Sequence, residues 1–131
     1  MLESISHIAL VVKDPARTAA LFHELFGAAV TTRRDDEGHL ETFLRLGGIW
    51  IVLVGAAVQR ARTGDHIAFR ATPEVLEATV VKLQAMGREF IRARANRALY
   101  FFDDDDHVFE LDVEDLDKEL GKVEIACPRP S

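Results

Sequence analysis

The sequence is almost without cysteine: Cys127 is the only one in 131 residues. It can supply neither a disulfide frame nor a thiolate cluster, so any bound metal must be held by His, Asp or Glu. Long apolar runs are missing too. The longest, such as Ile5 to Val12 and Ile49 to Val54, fall far short of the roughly 20 residues that cross a bilayer, and Met1-Leu2-Glu3-Ser4 does not open a signal peptide. Basic residues are the minority, 16 against 22 acidic, giving a net charge of −6. That argues against nucleic acid and membrane as partners, since both are bound largely through clustered positive charge. With four prolines and 48% apolar residues, the chain has material for one ordinary core, and a soluble, cytoplasmic single domain is expected.

What is present is a pattern that occurs twice. Ser4 to Val12 reads as a strand closed by Lys13-Asp14-Pro15. Asp14 can cap a helix with Pro15 in its first turn; Leu21, Phe22, Leu25 and Phe26 share one face, and Gly27 stops it. Strands follow at about Ala29 to Arg33, His39 to Leu46 and Ile49 to Val54, parted by Asp35-Asp36-Glu37-Gly38 and Gly47-Gly48. His66-Ile67-Ala68-Phe69 then echoes His7-Ile8-Ala9-Leu10, and the order starts again. Thr72-Pro73-Glu74 opens a second helix with the apolar stripe Val75, Leu76, Val80, Leu83 and Met86, closed by Gly87. Strands are predicted at Glu89 to Ala93, Ala98 to Phe102 and Val108 to Val113. The fold class is therefore α+β: paired β-α-β-β-β modules at about 1–55 and 64–113, a polar linker at about 56–63, and a C-terminal helix and loose tail over 114–131.

Side chains alternate sides along a strand, so parity maps the faces. Ile8, Leu10 and Val12 point to the helix and put His7 opposite; Ile67 and Phe69 do the same for His66. Phe109, Leu111 and Val113 send Glu110 to the side of the two histidines. Two imidazoles and a carboxylate on one concave surface make a divalent-metal site with open positions, and Zn, Mn, Fe, Co and Ni all accept such donors. A lone histidine on an apolar strand is more often a hydrogen-bonded core residue. Matching positions in two modules, joined by an acid of the right parity, are hard to obtain from packing needs alone, because a buried unpaired Glu is costly.

Other residues leave two readings open. Glu41, Phe43 and Arg45 face away from Leu40, Leu44 and Leu46, so Glu41 is either a general base beside a metal-held substrate or an exposed acid paired with Arg45. Arg92 and Arg94 share strand parity and, with Arg97, form either an anion site or a solvated basic edge. Asp103 to Asp106 lack the spacing and glycine of a calcium loop and read as a solvated turn. His23, His39 and His107 read as surface or turn residues.

His7, His66 and Glu110 in paired modules, the hairpin Gly47-Gly48-Ile49-Trp50, and the run Tyr100-Phe101-Phe102-Asp103-Asp104-Asp105-Asp106-His107-Val108-Phe109-Glu110-Leu111 resemble the vicinal oxygen chelate superfamily (glyoxalase/bleomycin resistance/dioxygenase). Within it the chain looks most like the hydrolase (FosX) branch of the fosfomycin-resistance proteins, from about Leu2 to Leu120. The resemblance implies a module-swapped homodimer in which His7 of one chain meets His66 and Glu110 of the other. It implies a manganese-dependent enzyme adding water to the oxirane of fosfomycin or a related small anionic epoxide, with Glu41 in the place of the water-activating glutamate. Tyr100 matches a tyrosine near the substrate, Trp50 is expected to line the pocket, and Arg92 and Arg94 are candidates for the anionic group. Ala9 stands where the family has a threonine, Glu119 where it has an arginine for the phosphonate, and the loop before Tyr100 is shorter. A thiol transferase on the same scaffold and a non-catalytic, drug-sequestering protein are the alternatives.

Overall fold

A computed structural model describes residues 1–57 and 61–121. Part of the expected linker (Gln59 and Arg60), together with Cys127, Pro128 and Pro130, lies outside them. The first module runs β1 (His7–Val12), α1 (Pro15–Phe26), β2 (Ala29–Arg34), β3 (Leu40–Leu46) and β4 (Ile49–Gly55). The second repeats it as β5 (His66–Arg70), α2 (Pro73–Ala85), β6 (Phe90–Ala93), β7 (Ala98–Phe102) and β8 (Val108–Asp112), followed by a short α3 (Leu116–Leu120). Each module makes one four-stranded sheet, in the orders β1-β4-β3-β2 and β5-β8-β7-β6. The first strand of each lies parallel to the last, and the hairpins are antiparallel.

Local chemistry sets the boundaries. Asp14 accepts a hydrogen bond from the Arg17 N–H at the start of α1, with Pro15 behind it, and Gly27 ends the helix at φ +66, where only glycine escapes a steric penalty. Thr72 caps α2 by accepting from Val75 N–H. Lys82 of α2 donates to the carbonyls of Glu24 and Leu25, placing a cation on the C-terminal end of α1 and tying the two helices together.

One apolar core serves both modules. Phe22 and Leu25 of α1, Leu76, Val80 and Leu83 of α2, Leu44 and Ile51 of the first sheet, and Leu99, Phe101 and Phe109 of the second belong to a single buried cluster. Phe22 meets Phe109 edge-on at 4.9 Å and Phe26 meets Phe101 at 5.8 Å, so α1 packs on the neighbouring module's sheet as well as on its own β3 and β4. The helix-facing side of each sheet is thus occupied by core. The opposite sides, which carry the polar residues, point away from it.

Two expectations change. On α2, Thr79 joins the buried stripe while Val75 and Met86, in the first turn and at the C-cap, are 45% and 39% exposed. The aspartate run is no solvated turn: Asp103 and Asp105 are buried. Asp103 accepts from the Asp105 and His107 N–H groups and pairs with the half-buried His107 ring at 2.7 Å, while Asp105 accepts from Lys13 N–H at the end of β1. Asp104 bridges Arg17 and Arg88, and Asp106 binds Arg62. Asp103 thus braces the β7–β8 turn from within, while Asp104, Asp105 and Asp106 clamp it to other segments of the chain. Among the described residues, no helix is long and apolar enough to cross a membrane.

Candidate metal centre and substrate pocket

The site-bearing face of the second sheet is built around Glu110. Its strand, β8, is the second from the sheet edge, and register sets Ala68 on one side of it and Tyr100 on the other. Glu110 is 3% exposed, yet both carboxylate oxygens have partners. His66 Nε2 lies 3.0 Å from Oε1, and Arg94 pairs with Oε2. Tyr100 also hydrogen-bonds this carboxylate, and its ring stands edge-on to His66 at 5.7 Å. Burial and the adjoining Glu110 charge push the Tyr100 phenol above the ordinary tyrosine range, so it stays a hydrogen-bond donor. Burial disfavours the charge on Arg94, but Glu110 and Asp112 outweigh it and raise the guanidinium further.

His66 is oriented for ligation. Its Nδ1 lies 2.8 Å from the Gly64 carbonyl, which can only accept, so Nδ1 carries the proton and Nε2 faces the carboxylate. A neutral imidazole nitrogen and a carboxylate oxygen at 3.0 Å need a proton or a cation between them. That pair suits a divalent ion, and two protein donors leave room for a third.

The third candidate lies on the other sheet. His7 is exposed on β1, with Ser6 Oγ 3.0 Å from its Nδ1, and its Cα partner across the parallel ladder is Trp50. It lines a cavity of about 530 Å³ with Thr31, Arg33, Glu41, Phe43 and Trp50. Glu41 and Phe43 share a face of β3 while Thr42, Leu44 and Leu46 are buried on the other, as the alternation requires. The partner of Glu41 is not Arg45 but Arg33, directly opposite on β2, with Nε 3.1 Å from Oε1. Asp35 fixes that register. Its carboxylate accepts from the His39 and Glu37 N–H groups, which close the turn and, the His39 bond foremost, hold the Asp35 carboxyl below its usual range. Arg33 and Arg45 lie 5.0 Å above the rings of Phe43 and Trp50, and those two rings meet edge-on at 6.3 Å.

One concave surface carrying His7, His66 and Glu110 is therefore not found within one chain. Among the described residues no three His, Cys, Asp or Glu side chains are grouped to hold a metal ion. The physical reason is the shared core, which separates the first sheet's polar face, with His7 and Glu41, from the second's, with His66 and Glu110. The common parity of Arg92 and Arg94 is also corrected. Strand β6 ends at Ala93, and Arg94, Ala95 and Asn96 all have positive φ, so the chain turns before Arg94. Arg94 reaches Glu110, whereas Arg92 makes a two-pronged pair with Glu77 on α2. Arg97 pairs with Glu114. Arg33 is the site-facing residue that sequence reasoning passed over; a hairpin centred on Glu37 would have put it opposite Glu41.

This fold and these half-sites define a class. The family model for the Glyoxalase/Bleomycin resistance protein/Dioxygenase superfamily matches residues 4–111, and the chain belongs to that superfamily. Within it, the chain is 32% identical to the fosfomycin resistance protein FosX of Listeria innocua, over 93% of this chain and 98% of that protein. The crystal structure of FosX from Listeria monocytogenes superposes with a TM-score of 0.81 at 30% identity, covering 94% of this chain and all of the other. A variant of that FosX, complexed with Mn(II) and 1S,2S-dihydroxypropylphosphonic acid, gives 0.79 at 33% identity, over 92% and 99% of the two chains. The metallothiol transferase FosB of Staphylococcus epidermidis is 26% identical over 98% of this chain and 96% of its own.

Proposed function

We propose that the protein is a metal-dependent epoxide hydrolase of the fosfomycin-resistance type, acting in the cytoplasm on fosfomycin or a related small anionic epoxide. The working unit is a module-swapped homodimer, in which His7 of one protomer joins His66 and Glu110 of the other. The observation that carries the reading is the position of Glu41, in the same cavity as His7 on a face the core leaves open. A base beside a ligand is what water activation needs. The bound ion, Mn(II) by similarity to the FosX complex, would supply Lewis acidity to the epoxide oxygen.

This chain's residues do the rest. Glu41 takes a proton from water as the water oxygen bonds to a ring carbon. The ring C–O bond breaks, the released oxygen takes up a proton, and a vicinal diol results. Tyr100, kept protonated, turns its single O–H from Glu110 to an anionic oxygen of the bound substrate. Trp50 and Phe43 cover the apolar carbons and exclude stray water. Arg94 holds one oxygen of Glu110 and leaves the other facing His66.

Similarity to FosB keeps a thiol transferase in view. The two are separated by incubating manganese-loaded protein with fosfomycin, with and without thiol, and following phosphorus NMR. Diol formation without thiol is expected, with a loss of about 100-fold or more in Glu41→Gln at unchanged metal content. Product that forms only with thiol, at the same rate in Glu41→Gln, overturns the hydrolase reading.

A further inference from the structure

We infer that Arg33 is the anion-recognising residue of the cavity and that it acts by exchange: the charged head of the substrate takes the guanidinium from Glu41, so the event that seats the substrate also frees the base. This rests on the hydrolase reading above and names the class of molecule that site takes, an epoxide carrying a phosphonate or carboxylate.

Little of Arg33 is used. Its contact with Glu41 runs through Nε, and its side chain is 69% exposed. The two terminal nitrogens meet no acceptor among the described residues, which leaves free the fork that fits two oxygens of a phosphonate or carboxylate. The group is also aimed. Phe43 lies beneath the guanidinium at 5.0 Å, so it is held over the cavity wall rather than swinging in solvent.

The three arginines that the sequence offered for the anion are committed. Arg94 serves Glu110 and Asp112, Arg92 spends both terminal nitrogens on Glu77, and Arg97 holds Glu114. Charge points the same way. In a chain of net charge −6, this face sets two guanidiniums, Arg33 and Arg45, against the one carboxylate of Glu41. An incoming dianion outbids a single exposed carboxylate for Arg33, because it offers more charge and a two-oxygen fit. Glu41, relieved of its partner, is left beside His7 with its oxygens open to water.

Trp50 is the chain's single tryptophan and lies on the same wall, so its emission reports occupancy independently of turnover. The manganese-loaded protein is titrated with methylphosphonate. Arg33→Met should weaken binding by about 10-fold or more, Arg33→Lys less, and Glu41→Gln should tighten it by removing the competitor. In turnover, Arg33→Met should raise KM for fosfomycin, while kcat/KM for uncharged propylene oxide, which has no anionic head to draw Arg33 from Glu41, should rise because the base is already free. Equal methylphosphonate affinity in Arg33→Met and the parent, or weaker affinity in Glu41→Gln, overturns the proposal. If the parent opens no epoxide yet the binding pattern holds, the hydrolase reading falls and the anion site stands. If the parent hydrolyses fosfomycin and Arg33→Met keeps its KM, the proposal alone falls.

Discussion

Module two and module one present matching sheet faces, yet they hold their acids in opposite ways. Glu110 is buried, and His66, Arg94 and Tyr100 converge on it from three other segments. Glu41 is half-buried and held by one exposed arginine. The difference follows from solvation: a buried carboxylate must have its oxygens matched or pay heavily for its charge, whereas an exposed one can exchange protein partners for water. A fixed acid suits a cation; a releasable one suits proton transfer. The same strand order thus yields a rigid half-site and an adaptable one.

The comparison depends on a shared core keeping the faces apart, and the largest expected effect strikes there. Phe22→Ala removes the ring that joins α1 to Phe101 and Phe109 and should cost about 3–5 kcal/mol in denaturant unfolding. If the loss is below about 1 kcal/mol, the modules do not stabilise each other through this helix.

A second way to break it is to separate the histidine from the acid. His7→Ala and Glu110→Ala proteins should each bind manganese poorly. When the two are refolded together, mixed dimers should regain about a quarter of the sites, since half of the dimers are mixed and one of their two sites is intact. No recovery on mixing would place the ligands within one protomer.

The smallest effect sharpens the contrast. Tyr100 is the only tyrosine, so phenolate absorbance reports it alone. In metal-free protein its titration should lie above that of free tyrosine. Glu110→Gln should bring it part of the way down, leaving the contribution of burial, because removing a negative neighbour makes the phenolate easier to form. Glu41→Gln should leave it unmoved.

Much of this was legible in the sequence. Asp14-Pro15 and Gly27 bound α1 closely, and the echo of His7 in His66 gave the repeated topology. Parity correctly separated His66 and Glu110 from the core side of their strands, because alternation is a local property of extended backbone. What escaped was set by backbone that leaves the strand or by pairing at a distance. Positive φ at Arg94 cannot be read from Arg-Ala-Asn-Arg, so Arg92 and Arg94 seemed to share a face. Arg33 carries no motif of its own; its role comes from the turn that sets it opposite Glu41. The run Asp103 to Asp106 looked hydrophilic because composition does not show that Asp103 is matched within its own turn and that Asp104, Asp105 and Asp106 each have a donor waiting in another segment.

The walls of both half-sites are strands, and this has a consequence for how new specificities could arise. Along β3 and β4 the residues bordering the cavity alternate with those that hold the fold, so Phe43 and Trp50 can be exchanged while Leu44 and Ile51 keep the interior filled. Recognition and folding are written on alternate letters of the same strands, which lets a population of variants explore new ligands without first surrendering a stable scaffold.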